Sequence, residues 1–183
     1  SPQKAKESQG EIKEAQKEIE AGFIRLLFGQ PNLRAEILKA LVRAPRGLDL
    51  EQLHYCLGSN PSEMPGEWLK RRDEDFQQHE LSRQINDELK DLRKLAIVKI
   101  RPGERLGLQE EVYRIYTDAL SKDGRGRAME KEARLKLHSK LRDWAKYQFD
   151  QHLKELTVFQ SNFERQLRFE RPSLAAEIRF PTL

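Results

Sequence analysis

The stretch LRKLAIVKIR, residues 92–101, joins the end of a helical pattern to a short β-branched run. Upstream of it, apolar side chains recur at steps of three and four from Leu81 to Leu95, which predicts one amphipathic helix. Residues 96–101 are too few and too β-branched to begin another helix, and Pro102 and Gly103 then supply a turn. The stretch therefore predicts a helix that leads directly into a β-hairpin.

Two more helices are predicted before this stretch, and one strand after it. Residues 33–44 repeat apolar side chains at the helical period. Residues 48–58 begin with Asp49, a favourable helix N-cap, and end at Gly58, a favourable helix stop. The run EVYRIY, residues 111–116, is rich in β-branched and aromatic side chains and is predicted as the second hairpin strand. We expect three helices followed by a hairpin.

This order of elements resembles the winged helix-turn-helix superfamily. The resemblance lies in LRKLAIV, residues 92–98, which leads into a strand, and in GLDLEQL, residues 47–53, which opens the second helix. It covers fewer than half of the residues and implies a domain whose third helix and hairpin, the wing, form a contact surface. One departure is the connection at residues 59–80, which is longer than a tight turn and predicts a short helix over residues 68–77.

Helical segments flank this region on both sides. Residues 11–28 form an amphipathic helical pattern, and a long helix is predicted over about residues 128–156. The predicted fold class is therefore mainly α with a small β-hairpin wing. We divide the chain into an N-terminal amphipathic helix at residues 1–30, a winged-helix domain at residues 31–120 and a helical extension at residues 121–183.

The predicted long helix carries more apolar surface than a small domain can cover. At about 1.5 Å per residue it would exceed about 40 Å in length. Its apolar stripe runs from Leu137 to Leu156, and three covers for it are open: the N-terminal helix, the following segment from Phe159 to Leu167, or a second copy of the chain. The extension is thus a candidate dimerisation or partner-binding segment.

The charge pattern permits DNA binding without requiring it, since the formal net charge is only +4. Carboxylates in the middle of the third helix, at Asp87, Glu88 and Asp91, argue against its deep insertion into a groove. The first turn of that helix has donors suited to base edges, and cations in the wing and the extension are suited to phosphates. The candidate DNA-contacting residues are Ser82, Arg83, Gln84, Asn86, Lys90 and Lys94 in the third helix, Lys99, Arg101 and Arg105 in the wing, and Arg127 and Arg134 in the extension.

Catalytic and metal-binding patterns are missing from the sequence. The four histidines lie on separate predicted elements without a zinc-type spacing, and the single Cys56 is expected in the core. No glycine-rich phosphate loop or nucleophile elbow occurs. We therefore expect no enzymatic activity, no metal and no cofactor. With no run of ~20 apolar residues, we also expect no membrane contact and a cytoplasmic location.

Two functions follow from this interpretation. The first is a regulatory DNA-binding module, in which the third helix reads bases while the wing and the extension hold phosphates of double-stranded DNA. The second is a non-enzymatic interaction or structural module of a larger ATPase or chromosome-associated complex, in which the third helix and the flanking helices are contact surfaces. In either case, the long C-terminal helix is the candidate surface for a homodimer or a larger protein complex.

Overall fold

The computed structural model describes residues 2–121 and 124–170. The chain divides into two units, Ser1–Leu141 and Arg142–Leu183, and each unit is described by itself. The elements are, in chain order, α1 (Pro2–Phe28), α2 (Leu33–Arg43), α3 (Leu50–Gly58), α4 (Pro65–Glu74), α5 (Phe76–Lys94), β1 (Val98–Arg101), β2 (Arg105–Leu108), α6 (Glu110–Ser121) and α7 (Gly124–Glu170).

Helices α2, α3 and α5 pack together at the centre of the first unit. Asn32 caps α2 by accepting a hydrogen bond from the backbone nitrogen of Ala35, and Asp49 and Gln52 form a reciprocal capping box at the start of α3. The inward faces of these helices share one apolar core. Its fully buried side chains include Ile37, Leu38, Leu41, Leu53, Ile85 and Leu92.

The hairpin follows α5 and is joined to the loop before α3. Strands β1 and β2 are antiparallel, with Val98 opposite Leu108 and Arg101 opposite Arg105. Leu48 forms a further antiparallel bridge with Leu106, so a third stretch of extended backbone borders the hairpin. Gly47 directly precedes this bridge with a φ of +82°, where a Cβ would lie 2.7 Å from the carbonyl oxygen of Leu106.

The expected fold class of mainly α with a small hairpin is confirmed, but the prediction of the second strand is wrong. Residues 111–116 lie in α6, and β2 is formed by residues 105–108 instead. The reason is helical packing, because Val112 and Tyr116 are four residues apart and are both buried in the core. Glu110 and Glu111 also stand in the first turn of α6, where carboxylates are favourable.

Three helices are longer than predicted. Helix α5 begins at Phe76, α1 begins at Pro2, and α7 extends to Glu170. The segment from Phe159 to Leu167 is therefore part of α7 and cannot fold back to cover that helix's own apolar stripe. The division into an N-terminal helix, a winged-helix domain and an extension stays a prediction.

The long connection after α3 contains a short helix, as expected, but α4 spans Pro65–Glu74 instead of residues 68–77. Arg71 of α4 donates two hydrogen bonds to the carboxylate of Glu63, at 2.7 and 2.6 Å, and one to the carbonyl of Gly58 at 2.9 Å. The ring of Trp68 packs edge-on against Tyr55 of α3, with 5.5 Å between ring centroids. These contacts fix α4 to the C-terminal end of α3.

The first part of α7 packs into the same core. Leu137 is buried in it, and Leu141 is partly buried against it. Lys140 lies half-buried at the end of α3, where its ammonium donates to the carbonyls of Cys56 and Ser59 and to the Ser59 hydroxyl. A cation at this position stabilises the C-terminal carbonyls of a helix.

Candidate nucleic-acid interface and contact surface

The predicted DNA-contacting residues of α5, apart from Ser82, are exposed to solvent, but most of their charge is balanced by nearby carboxylates. Arg83 pairs with Glu80 at 2.6 Å and approaches Asp87 at 4.0 Å, and Lys94 pairs with Asp91 at 3.3 Å. The amide of Gln84 donates to Glu80, and Ser82 is half-buried. Among the α5 residues predicted to contact DNA, Lys90 alone is an exposed cation without an ion-pair partner in the described chain.

Asn86 of α5 lies near a buried histidine. That residue is His54 of α3, whose Nε2 atom has no hydrogen-bond partner among residues 2–121 and 124–170. Burial lowers the pKa of His54 below its ordinary value, and the neighbouring Asn86 side chain partly opposes that effect. Asn86 itself is exposed, and its contact with a base edge stays a prediction.

The wing arginines turn toward the protein rather than away from it. Arg105 donates to the carbonyl of Gly47 at 2.7 Å and to that of Arg46 at 3.2 Å. Arg101 donates to the carbonyl of Pro45 and lies over Gly107, where a Cβ would come within 2.5 Å of the Arg101 Nε. The two guanidinium groups thus hold the loop before α3 against the hairpin. Their DNA contacts stay predictions.

The remaining predicted cations lie apart from the α5 face. Lys99 of β1 pairs with Glu110 of α6 at 3.2 Å. Arg127 and Arg134 stand on the first turns of α7, where neither has an ion-pair partner in the described part of the chain. The structure therefore gathers no single cluster from the eleven predicted residues, but it leaves Arg127 and Arg134 beside another unpaired cation, Lys131.

The second unit presents an apolar helical surface that the sequence interpretation had only partly found. Residues at steps of four and three define the α7 seam, namely Phe149, Leu153, Leu156, Gln160, Phe163 and Leu167. Phe149 and Leu156 are 66% and 57% exposed, and the neighbouring Phe159 is 70% exposed. This alternation of four and three is the heptad period of a coiled coil and could have been recognised in the sequence.

Three further features concern metal-ligating side chains, the cysteine thiol and helix hydrophobicity. Within residues 2–121 and 124–170, no group of three His, Cys, Asp or Glu side chains is arranged to hold a metal ion. Burial raises the pKa of the Cys56 thiol to about 12, so little reactive thiolate forms near neutral pH. In the same residues, no helix is both long enough and apolar enough to span a bilayer.

Comparison with known proteins gives no match, since no family model, no curated protein and no solved structure is similar to this chain.

Proposed function

We propose that this chain is a non-enzymatic protein-interaction module built on a winged helix, and that the α7 seam pairs with the seam of a second copy in a parallel coiled coil. The single observation that carries the proposal is a run of six consecutive heptad positions on one helix, of which the four apolar residues Phe149, Leu153, Leu156 and Phe163 are exposed. The winged-helix part rests on the order α2, bridging Leu48, α3, α5 and hairpin, with the short α4 between α3 and α5.

The area of the α7 seam is compatible with a weak dimer. Its exposed apolar side chains, with Phe159 beside them, offer roughly 500 Å² per chain, on the scale of 150–250 Å² for each aromatic residue. Two chains would then bury about 1,000 Å², near the lower limit for a specific interface. A dissociation constant in the micromolar range is therefore expected.

Electrostatics at the edges of the seam are compatible with a second copy. In a parallel pair, each flanking position meets the one five residues ahead on the other chain. His152 would meet Thr157 and Phe159 would meet Glu164, so no like charges oppose each other. Gln160 is the one polar residue of the seam, and its amide donates to Glu164 of the same helix at 3.2 Å.

The pairing of cations on the first unit favours protein interaction over recognition of a DNA groove. The two wing arginines are used in hydrogen bonds to the loop before α3, and the α5 cations Arg83 and Lys94 are paired with carboxylates on their own helix. A surface that approaches the phosphate backbone gains affinity from unpaired cations. Because most of these cations are already paired, the expected gain in affinity for DNA phosphates is small.

The proposal is tested by sedimentation equilibrium of the full chain and two variants across the micromolar range. Wild type should approach twice the chain mass of 21.5 kDa as concentration rises. Leu156→Asp should stay at the monomer mass, because it places a carboxylate in the seam. Lys154→Asp also introduces one carboxylate, but on the side of α7 away from the seam, so this variant should still dimerise. A wild-type protein that remains monomeric throughout would refute the self-association proposal.

DNA binding is a second candidate, favoured by the exposed and unpaired Lys90 on α5 and by Arg127 on α7. Fluorescence anisotropy with a random-sequence duplex at several salt concentrations tests it. If these cations contact phosphates, Lys90→Gln should lower the slope of log affinity against log salt by about 1. Lys136→Gln is the matched control, because Lys136 is paired with Glu132. Absence of binding at low salt would dismiss this candidate.

A further inference from the structure

A groove lies between α6 and the first turns of α7, with a volume of about 340 Å³. This volume is within the range of small-molecule sites. Most of its surface is apolar. Its described lining residues are Thr117 and Leu120 from α6, and Arg127, Glu130, Lys131 and Arg134 from α7.

The acidic member of this lining is already neutralised. Glu130 is 8% exposed and accepts hydrogen bonds from Arg43 at 3.0 and 2.9 Å, and from the Tyr116 hydroxyl at 3.4 Å. The Thr117 hydroxyl is within 3.0 Å of two carbonyl oxygens of its own helix, those of Tyr113 and Arg114. Glu130 and Thr117 are therefore already engaged in other contacts and do not pair with the remaining cations of the groove.

Three cations of the groove lack an ion-pair partner in the described part of the chain. Arg127, Lys131 and Arg134 form no ion pair with any residue in the described ranges. The Nε of Arg134 is shielded from solvent and has no hydrogen-bond partner in those ranges. Three like charges at steps of four and three along one helix repel one another, and a shielded donor without a partner is costly. A bound anion would relieve both.

We propose that this groove binds a phosphate monoester that carries a small apolar group. A phosphate monoester has a charge near −2 at neutral pH and three acceptor oxygens, which suits three cations better than a single carboxylate does. The guanidinium groups of Arg127 and Arg134 present donor pairs that match phosphate oxygens, and Lys131 adds a point charge. The apolar wall at Leu120 accommodates the organic group. The site lies wholly in the first unit, so it is independent of dimerisation through the α7 seam.

Isothermal titration calorimetry of the full chain, with phenyl phosphate as the probe, tests the charge and apolar requirements. We expect saturable one-to-one binding, with inorganic phosphate at least about fivefold weaker because it leaves the apolar wall uncovered. Benzyl alcohol, which lacks the charge, should give no measurable heat. Absence of saturable phenyl phosphate binding would overturn the proposal, and equal affinity for inorganic phosphate would overturn its organic component.

Variants of the groove cations locate the site. Arg134→Gln should weaken phenyl phosphate about tenfold, because a charge-assisted donor pair is lost. Lys131→Gln and Arg127→Gln should each weaken it by a smaller factor, and both residues are exposed, so these two variants test the site even if Arg134→Gln fails to fold. Lys136→Gln on the same helix is the matched control and should bind as wild type does. Equal weakening by Lys136→Gln, or none by any groove variant, would overturn the assignment.

Discussion

Arg43 and Glu130 join α2 to α7 through a two-point ion pair, although 87 positions separate them in the chain. Both side chains are mostly buried, and Tyr116 adds a third contact to the same carboxylate. The pair holds the first turns of α7 against the central helices. It thereby also fixes one wall of the groove proposed to bind a phosphate monoester.

Breaking this ion pair should destabilise the first unit. Glu130→Gln leaves the Arg43 guanidinium in a mostly buried position without its counter-charge, which is expected to cost about 3 kcal/mol of unfolding free energy. Urea denaturation followed by circular dichroism measures this change. Glu36→Gln removes the exposed partner of Lys39 and should cost less than about 0.5 kcal/mol. A Glu130→Gln protein as stable as that control would show that the pair contributes little.

Arg105 should act on stability rather than on DNA. Arg105→Ala removes the hydrogen bonds to the carbonyls of Arg46 and Gly47, so a loss of about 1–2 kcal/mol in unfolding free energy is expected. The same denaturation assay measures it, and Lys94→Ala, which removes an exposed ion pair, is the control. If Arg105→Ala instead weakens duplex binding and leaves stability unchanged, the original DNA-contact prediction for Arg105 is the better account.

The stability of the first unit should fall in mildly acidic solution because of His54. Its folded-state pKa lies below the ordinary value of 6.5, so the unfolded chain binds the proton more readily. The stabilisation is fully present above pH 6.5 and is lost as the pH falls through the folded-state pKa. Urea midpoints measured from pH 7.5 to pH 5 should decline less steeply for His54→Gln than for wild type.

His79→Gln is the control for this pH dependence, because His79 is exposed on α5. Its decline toward acid should follow that of wild type. If the urea midpoints of His54→Gln, His79→Gln and wild type all decline equally toward acid, proton uptake by His54 makes no contribution to acid sensitivity.

The first half of the hairpin was predictable from sequence and the second half was not. Residues 96–101 are β-branched and too few for a helix, whereas β2 has only four residues and contains Gly107. The run at residues 111–116 has strand-like composition, but its side chains Val112 and Tyr116 bury on one helical face against the core. Tertiary packing therefore outweighs local propensity there.

The candidate site was less predictable than the fold, because it depends on where long side chains point. The carbonyls that receive Arg101 and Arg105 lie in the loop at residues 45–47, more than fifty positions earlier in the chain. The groove cations Arg127 and Arg134 were singled out, but Lys131 was not assigned to the predicted site. Its position between them follows from the helical steps of four and three.

Disulfide cross-linking through the α7 seam tests the central claim most directly. Cys56 is the only native thiol, and its raised pKa of about 12 keeps its background reactivity low. In a parallel coiled coil, Leu156 of one chain faces Leu156 of the other, whereas Ser161 points outward. Under mild oxidation, we predict that Leu156→Cys forms a covalent dimer much faster than Ser161→Cys does. Equal rates for the two variants, or no dimer from Leu156→Cys, would contradict the proposed pairing.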